Sequence, residues 1–304
     1  MKILVCGGDE RFVLLSELLQ KSGHEVKCYA LSRAQLPAGC VRADAPVSAD
    51  AVILPVPAED ARGMLNTPFE QSPCRIEGIL ERAGDAVIIG GKLSARLRKA
   101  AEERGQQVFD YMQSPALVAE NASITAEGAI SQLMGRTRAS LCDMRVLVIG
   151  WGRIGKLLMR KLGALCPSVY LMSANPASRA LAGALGHSAI EPNCDTQLLK
   201  SFDAVINTAP APVISDLCAL REGCILLELA SAPGGVDMEK AAEAGLEGIA
   251  SRGLPGRYAP ESAAAAIFRA VEDILKEVSE HEDTNDLHIP FLLLLHIRKA
   301  VCAA

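Results

Sequence analysis

Three glycines in the stretch "RVLVIGWGRIGKLLMRKLGAL", residues 145–165, carry the first chemical signal of this sequence. Gly150, Gly152 and Gly155 follow an apolar strand pattern and open an amphipathic helix pattern. In that context G-x-G-x-x-G binds a dinucleotide. Gly150 permits the tight turn, Gly152 lets the backbone approach a pyrophosphate, and Gly155 allows close helix–strand packing. The helix that starts at Arg153 and Ile154 offers free N–H groups and a positive dipole end to the phosphates. A tight turn without a ligand is the competing reading; the strand before it and the helix after it weigh against that.

The end of the next strand selects the nucleotide. An NAD site places Asp or Glu there, to accept from the ribose 2′-hydroxyl. This chain has Ser173-Ala174-Asn175-Pro176-Ala177-Ser178-Arg179, without an acid. Ser173, Asn175, Ser178 and Arg179 suit a 2′-phosphate, so the stretch favours NADP(H) over NAD(H), a merely solvated Arg179 being the alternative. Thr208, Ala209, Pro210 and Ala230, at the ends of later strands, are read as further cofactor contacts. The turn "GGDER" (residues 7–11) also follows a strand but lacks the third glycine, which makes it the better candidate for substrate.

These turns imply the elements that carry them. Strand patterns at 2–8, 24–31, 49–57, 84–91 and 106–111 alternate with helical stretches at 10–23 and 92–105. The alternation restarts at Arg145, with strands at 145–150, 168–174, 203–210, 224–231 and 247–253 and helices at 153–165, 176–186, 194–201 and 237–245. Apolar strand runs alternating with helices predict an α/β chain of two doubly wound parallel sheets, Rossmann-like, with a cleft between them. We read an N-terminal α/β domain on the substrate side (1–118) and a linking helix (119–140, strongest over 121–137). A dinucleotide-binding domain (141–256), a helix packing back on the N-terminal domain (257–281) and a tail (282–304) complete the division.

Composition sets bounds. The chain has 304 residues, a net charge of −5 and only 4% aromatics, which offers no footprint for nucleic acid. Ten scattered cysteines form no C-x-x-C pair and read as reduced thiols, with no metal site. Met1 leads straight into "KILVCGG" without a cleavage signal, and "IPFLLLLHI" (289–297) is too short to span a bilayer. The expectation is a cytoplasmic protein with no membrane partner. An exposed "IPFLLLLHI" would favour a homo-oligomer.

The loops "INTAP" (206–210), "LELASAPGG" (227–235) and "RGLPGRYAPESA" (252–263) stand out, with "CGGDER" (6–11), "ILPVP" (53–57) and "TAEG" (125–128). Together they resemble the dipicolinate synthase A-subunit family over roughly residues 2 to 280; residues 282–304 depart from it. The resemblance implies an enzyme of spore-forming bacteria, working with a smaller flavoprotein-like second subunit (the B-subunit) to make pyridine-2,6-dicarboxylate during sporulation. The implied reaction is NADP-dependent oxidation of 4-hydroxy-tetrahydrodipicolinate, or its dehydrated form, on an architecture resembling D-2-hydroxyacid dehydrogenases.

That chemistry asks little of a dedicated triad. Loss of water from the cyclic hydroxy-imine, then removal of a hydride and a proton, yields an aromatic ring, so orienting the substrate is the main task. None of the five histidines sits at a predicted strand C-terminus. Two substrate carboxylates invite Arg forks or backbone N–H nests. Arg11 and Arg257 are the candidate cations, with a surface ion pair as the alternative for each. Ser231, Gly234 and Gly235 follow the fifth strand, near the expected nicotinamide end. Asp9, Glu127 and Tyr258 are candidate proton handlers, Glu127 being read at the start of the linking helix. Two other functions stay open: another NAD(P)-dependent dehydrogenase of a small carboxylic acid, and a nucleotide-binding partner protein without turnover.

Overall fold

The computed structural model describes residues 1–214, 216–231 and 234–285. The chain divides into two units, Met1–Leu117 with the segment from Ala264 onward, and Val118–Ala263. The run "IPFLLLLHI", with the oligomer contact read into it, lies outside the described residues.

The first unit begins with β1 (Lys2–Cys6), α1 (Glu10–Lys21), β2 (Glu25–Tyr29), β3 (Val41–Ala43) and β4 (Ala51–Ile53). It continues with α2 (Ile76–Arg82), β5 (Val87–Gly90), α3 (Ala95–Glu102) and β6 (Val108–Asp110). Its strands form one parallel sheet in the order β3-β2-β1-β4-β5-β6. The period of two along β1 explains the layering: Ile3 and Val5 join one apolar cluster with Phe12 and Leu15 of α1. Leu4 and Cys6 join the opposite one with Ile79 of α2 and Leu97 of α3. A strand covered on both faces reads as an unbroken apolar run, as "KILVC" does.

The second unit holds most of α4 (Pro115–Arg136), then β7 (Arg145–Ile149), α5 (Arg153–Gly163), β8 (Ser168–Met172), α6 (Pro176–Ala184) and β9 (Ser188–Ile190). It ends with α7 (Thr196–Lys200), β10 (Ala204–Asn207), β11 (Ile225–Glu228), α8 (Met238–Glu243), β12 (Glu247–Ala250) and α9 (Leu254–Tyr258). The parallel sheet runs β12-β11-β10-β7-β8-β9. Each sheet therefore repeats the 3-2-1-4-5-6 order of a doubly wound dinucleotide fold, with its switch point between the first and fourth strands. Those points lie at "GGDER" in the first unit and "GWGRIG" in the second.

α10 (Pro260–Asn285) belongs mainly to the first unit. Ile267, Ala270, Val271, Leu275 and Val278, at helical spacing, enter the cluster of Ile3 and Val5. Glu272 pairs with His24 at 2.9 Å.

Four elements escaped the sequence reading: β3, β9, α2 and α9. The two strands are three residues long, too short to show a period. α9 occupies "LPGRY", which the sequence reading left within the loop 252–263. Pro255 sits in its first turn, where a missing N–H costs nothing. α4 starts six residues earlier than the reading over 121–137, so Glu127 lies in mid-helix and gains nothing from an N-terminal dipole.

Candidate functional site

The second unit's switch point separates two kinds of glycine. Gly150 has φ +98, and a Cβ there would stand 2.6 Å from Thr208 Oγ1. A Cβ on Gly155 would meet the Gly150 carbonyl oxygen at 2.0 Å. The fold itself demands both. Gly152, the N-cap of α5, has an ordinary φ of −76, and a Cβ there would meet nothing within 4 Å. Nothing in the folded chain excludes a side chain at Gly152, yet the space before it is left clear. No side chain caps α5, so its first N–H groups, at Arg153 and Ile154, face that space unmatched. A cavity of about 240 Å³ lies there, lined by Gly152, Arg153, Ile154 and Thr208 together with Val118, Asn121 and Ala122 of α4.

At the end of β8 the structure gathers Ser173, Asn175, Ser178 and Arg179. Asn175 caps α6, its Oδ1 accepting from Ala177 N and Ser178 N, and its own N–H donates to Ser173 Oγ. Arg179 donates through Nη1 to the carbonyls of Ser173 (2.8 Å) and Ala174 (3.1 Å), and its Nη2 stands 3.7 Å from Glu191. One edge of the guanidinium thus holds the strand end in shape, an engagement that sequence spacing did not show.

The ends of β10 and β11 are tied by a polar knot that the sequence reading missed. Thr208 Oγ1 donates to the Ile149 carbonyl at 2.7 Å, joining this corner to the glycine turn. Asn207 Oδ1 accepts from Ala209 N, and Asn207 Nδ2 donates to the Ala209 carbonyl and to both oxygens of Glu228. Glu228, 1% exposed, also accepts from Ala230 N (2.7 Å) and Gly235 N (3.0 Å). A Cβ on Gly235 would meet Ala209 O at 2.6 Å, Ala211 O at 2.7 Å and Asn207 Nδ2 at 2.7 Å. Gly234 has φ +87 over the same carboxylate. The glycine pair read as a substrate contact is thus required for the chain to close over Glu228. Ala230 is buried, whereas Pro210 and Ser231 are exposed at the rim. The missed signal was an acid inside the apolar run "ILLELA".

The remaining candidates are more dispersed. Arg11 was read in a loop but sits in the first turn of α1, 6% exposed. It grips Asp9 through Nε (2.8 Å) and Nη2 (2.9 Å), and Nη2 reaches the Val56 carbonyl at 3.4 Å. Asp9 is also the N-cap of α1. The two residues therefore answer each other, where sequence reasoning had made one a substrate clamp and the other a proton handler. In the second unit Glu127 pairs with Lys161 at 2.6 Å. Arg257 donates to the Arg252 carbonyl, and Tyr258 is 44% exposed on α9. Gly128 of "TAEG" lets α4 approach α9, since a Cβ there would lie 3.2 Å from Leu254 Cβ and from Tyr258 Cβ.

Comparison with known proteins agrees with this architecture. Residues 2–112 match the family model of the dipicolinate synthase A-subunit N-terminal domain. The chain is 26% identical over 294 residues to the dipicolinate synthase A-subunit of Bacillus subtilis (strain 168), covering 93% of this chain and 98% of that protein. The dipicolinate synthase A-subunit from Bacillus halodurans superposes with a TM-score of 0.80 at 23% identity, covering 90% of this chain and 97% of that one. The apo-structure of D-lactate dehydrogenase from Escherichia coli shares the fold, with a TM-score of 0.59 at 15% identity over 92% of this chain and 98% of that one.

Proposed function

This chain is a relative of the dipicolinate synthase A-subunit, its N-terminal domain belonging to that family, and from that premise we propose that it oxidises 4-hydroxy-tetrahydrodipicolinate, or the dehydrated form, to dipicolinate. The oxidant in this reading is NADP, with NAD second. The single observation that carries it is Gly152: a side chain there would meet no protein atom, so the missing side chain leaves room for a ligand. The free N–H groups at the start of α5 suit a pyrophosphate, and Asn175, Ser178 and Arg179 suit a 2′-phosphate.

A bound nicotinamide would accept the hydride. The chain's own task is to orient the substrate and keep water out. Thr208, Ala209, Pro210 and Ala230 would contact the cofactor, and Ser231 the substrate. Arg257 serves a substrate carboxylate in this reading; Arg11, the other cation considered for that role, has its charge partly answered by Asp9. Tyr258, exposed on α9, is the proton handler we favour over Asp9 and Glu127, which are held in ion pairs. The family resemblance supports a flavoprotein-like second subunit as partner, in the cytoplasm of a sporulating cell. Among the described residues no helix is long and apolar enough to cross a membrane.

A nucleotide-binding protein without turnover of its own is the second reading. It is favoured by the ion pairs that engage two of the three candidate proton handlers, Asp9 with Arg11 and Glu127 with Lys161. The test mixes purified protein, either oxidised nucleotide and the hydroxy-tetrahydro substrate, with and without the second subunit, and follows the near-ultraviolet absorbance of the reduced ring. Reduction accompanied by dipicolinate supports the oxidoreductase. Binding of nucleotide with no reduction in either mixture supports the second reading.

A further inference from the structure

Glu228 is a buried acid that meets no cation among the described residues. It ends β11 directly opposite Asn207 of β10 in the parallel register. All its hydrogen bonds are accepted ones, from Asn207 Nδ2 (3.0 and 2.9 Å), Ala230 N (2.7 Å) and Gly235 N (3.0 Å). Burial of a carboxylate without a cation is costly even when hydrogen bonds offset part of the penalty. The groups it ties, Ala209 through Asn207 together with Ala230 and Gly235, all lie at the carboxyl ends of β10 and β11. In a doubly wound sheet of this order the second mononucleotide half lies over the ends of the fourth to sixth strands, here β10 to β12.

We propose that the Glu228 carboxylate is a specificity-determining group that makes the second unit prefer the oxidised, positively charged nicotinamide ring to the reduced, neutral one. The inference rests on reading this unit as a dinucleotide site. The physical cause is that a fixed charge in a poorly solvated corner acts over several ångströms with little screening. The oxidised ring carries the positive charge that Glu228 does not meet among the described residues; the reduced ring carries none. Glu228 therefore favours entry of the oxidant and exchange of the spent nucleotide. A role confined to tying loops would weaken both redox forms alike, and this separates the two accounts.

The experiment is calorimetric titration of the full chain with NADP⁺ and with NADPH, and with the NAD pair in parallel, for the wild type and for Glu228→Gln. The expected result is that Glu228→Gln weakens the oxidised form by about tenfold more than the reduced form, the order of a unit-charge interaction at intermediate dielectric. An unchanged ratio of the two affinities, whether both are retained or both fall together, overturns the proposal. If Glu228→Gln does not fold, the wild type decides: tighter binding of the oxidised form supports the proposal, and tighter binding of the reduced form overturns it. A wild type that binds neither form refutes the dinucleotide reading itself, an outcome distinct from the others.

Discussion

Replacing Gly152 by Asp should separate binding from folding. The position is the N-cap of α5, where Asp is a better cap than Gly by a few tenths of about 1 kcal/mol. Its φ of −76 suits any residue, and a Cβ would meet nothing within 4 Å. Gly152→Asp should therefore leave the unfolding free energy unchanged or slightly raised. A pyrophosphate resting on the start of α5 would face the new carboxylate. Two unit charges ~4 Å apart at an effective dielectric near 20 repel by about 4 kcal/mol, roughly a thousandfold in affinity. The assay is thermal or denaturant unfolding with and without nucleotide. At a nucleotide concentration ~100 times Kd the wild type should gain about 2.7 kcal/mol, and Gly152→Asp should gain none. Gly155→Ala is the contrast: its Cβ would lie 2.0 Å from the Gly150 carbonyl oxygen, so the fold itself should lose about 1–3 kcal/mol. A folded Gly152→Asp protein that keeps its stabilisation by nucleotide would show that no dinucleotide uses this turn.

Arg179→Ala should weaken the phosphorylated dinucleotide by about 1.5–3 kcal/mol more than the unphosphorylated one, measured by titration with both. Equal weakening would assign Arg179 only to the Ser173 and Ala174 carbonyls it already holds. Arg11→Ala should lower the denaturant stability by about 1.5–3 kcal/mol, because it removes two charge-assisted hydrogen bonds made by a buried guanidinium to the Asp9 carboxylate that caps α1. A loss under ~0.5 kcal/mol would show that the pair ties nothing down and that Arg11 is free to serve a substrate. Burial pushes the Cys28 thiol up to about 11 and the Cys224 thiol up to about 12, from the usual 9.0. The unfolded chain releases these protons first, so the stability they contribute is complete below pH 9 and is lost as pH rises toward 11–12. Denaturant midpoints should fall over that window, less steeply in Cys224→Val; identical slopes in the two proteins would contradict the assignment.

Much of this protein follows from local rules that a sequence displays. The alternation of apolar strand runs with amphipathic helices predicts two doubly wound sheets, because a strand covered on both faces has to be apolar throughout. The glycine turn is legible for the same reason: the conformation of Gly150 and the close pass of Gly155 arise within six residues of one another. The cap at Asn175 is similarly local, an Asx oxygen reaching N–H groups two and three residues on. What only the tertiary structure decided is where each charge is spent. Asp9 and Arg11 lie two residues apart, yet only the buried turn at the end of β1 makes them partners. Glu127 meets Lys161 across 34 positions, and Asn207 meets Glu228 across 21. Those contacts depend on helix packing and on the register of β10 against β11, quantities set by the whole sheet. Local periodicity can say that Glu228 sits in a buried strand; only the assembled sheet supplies the amide and the two backbone N–H groups that let a carboxylate remain there.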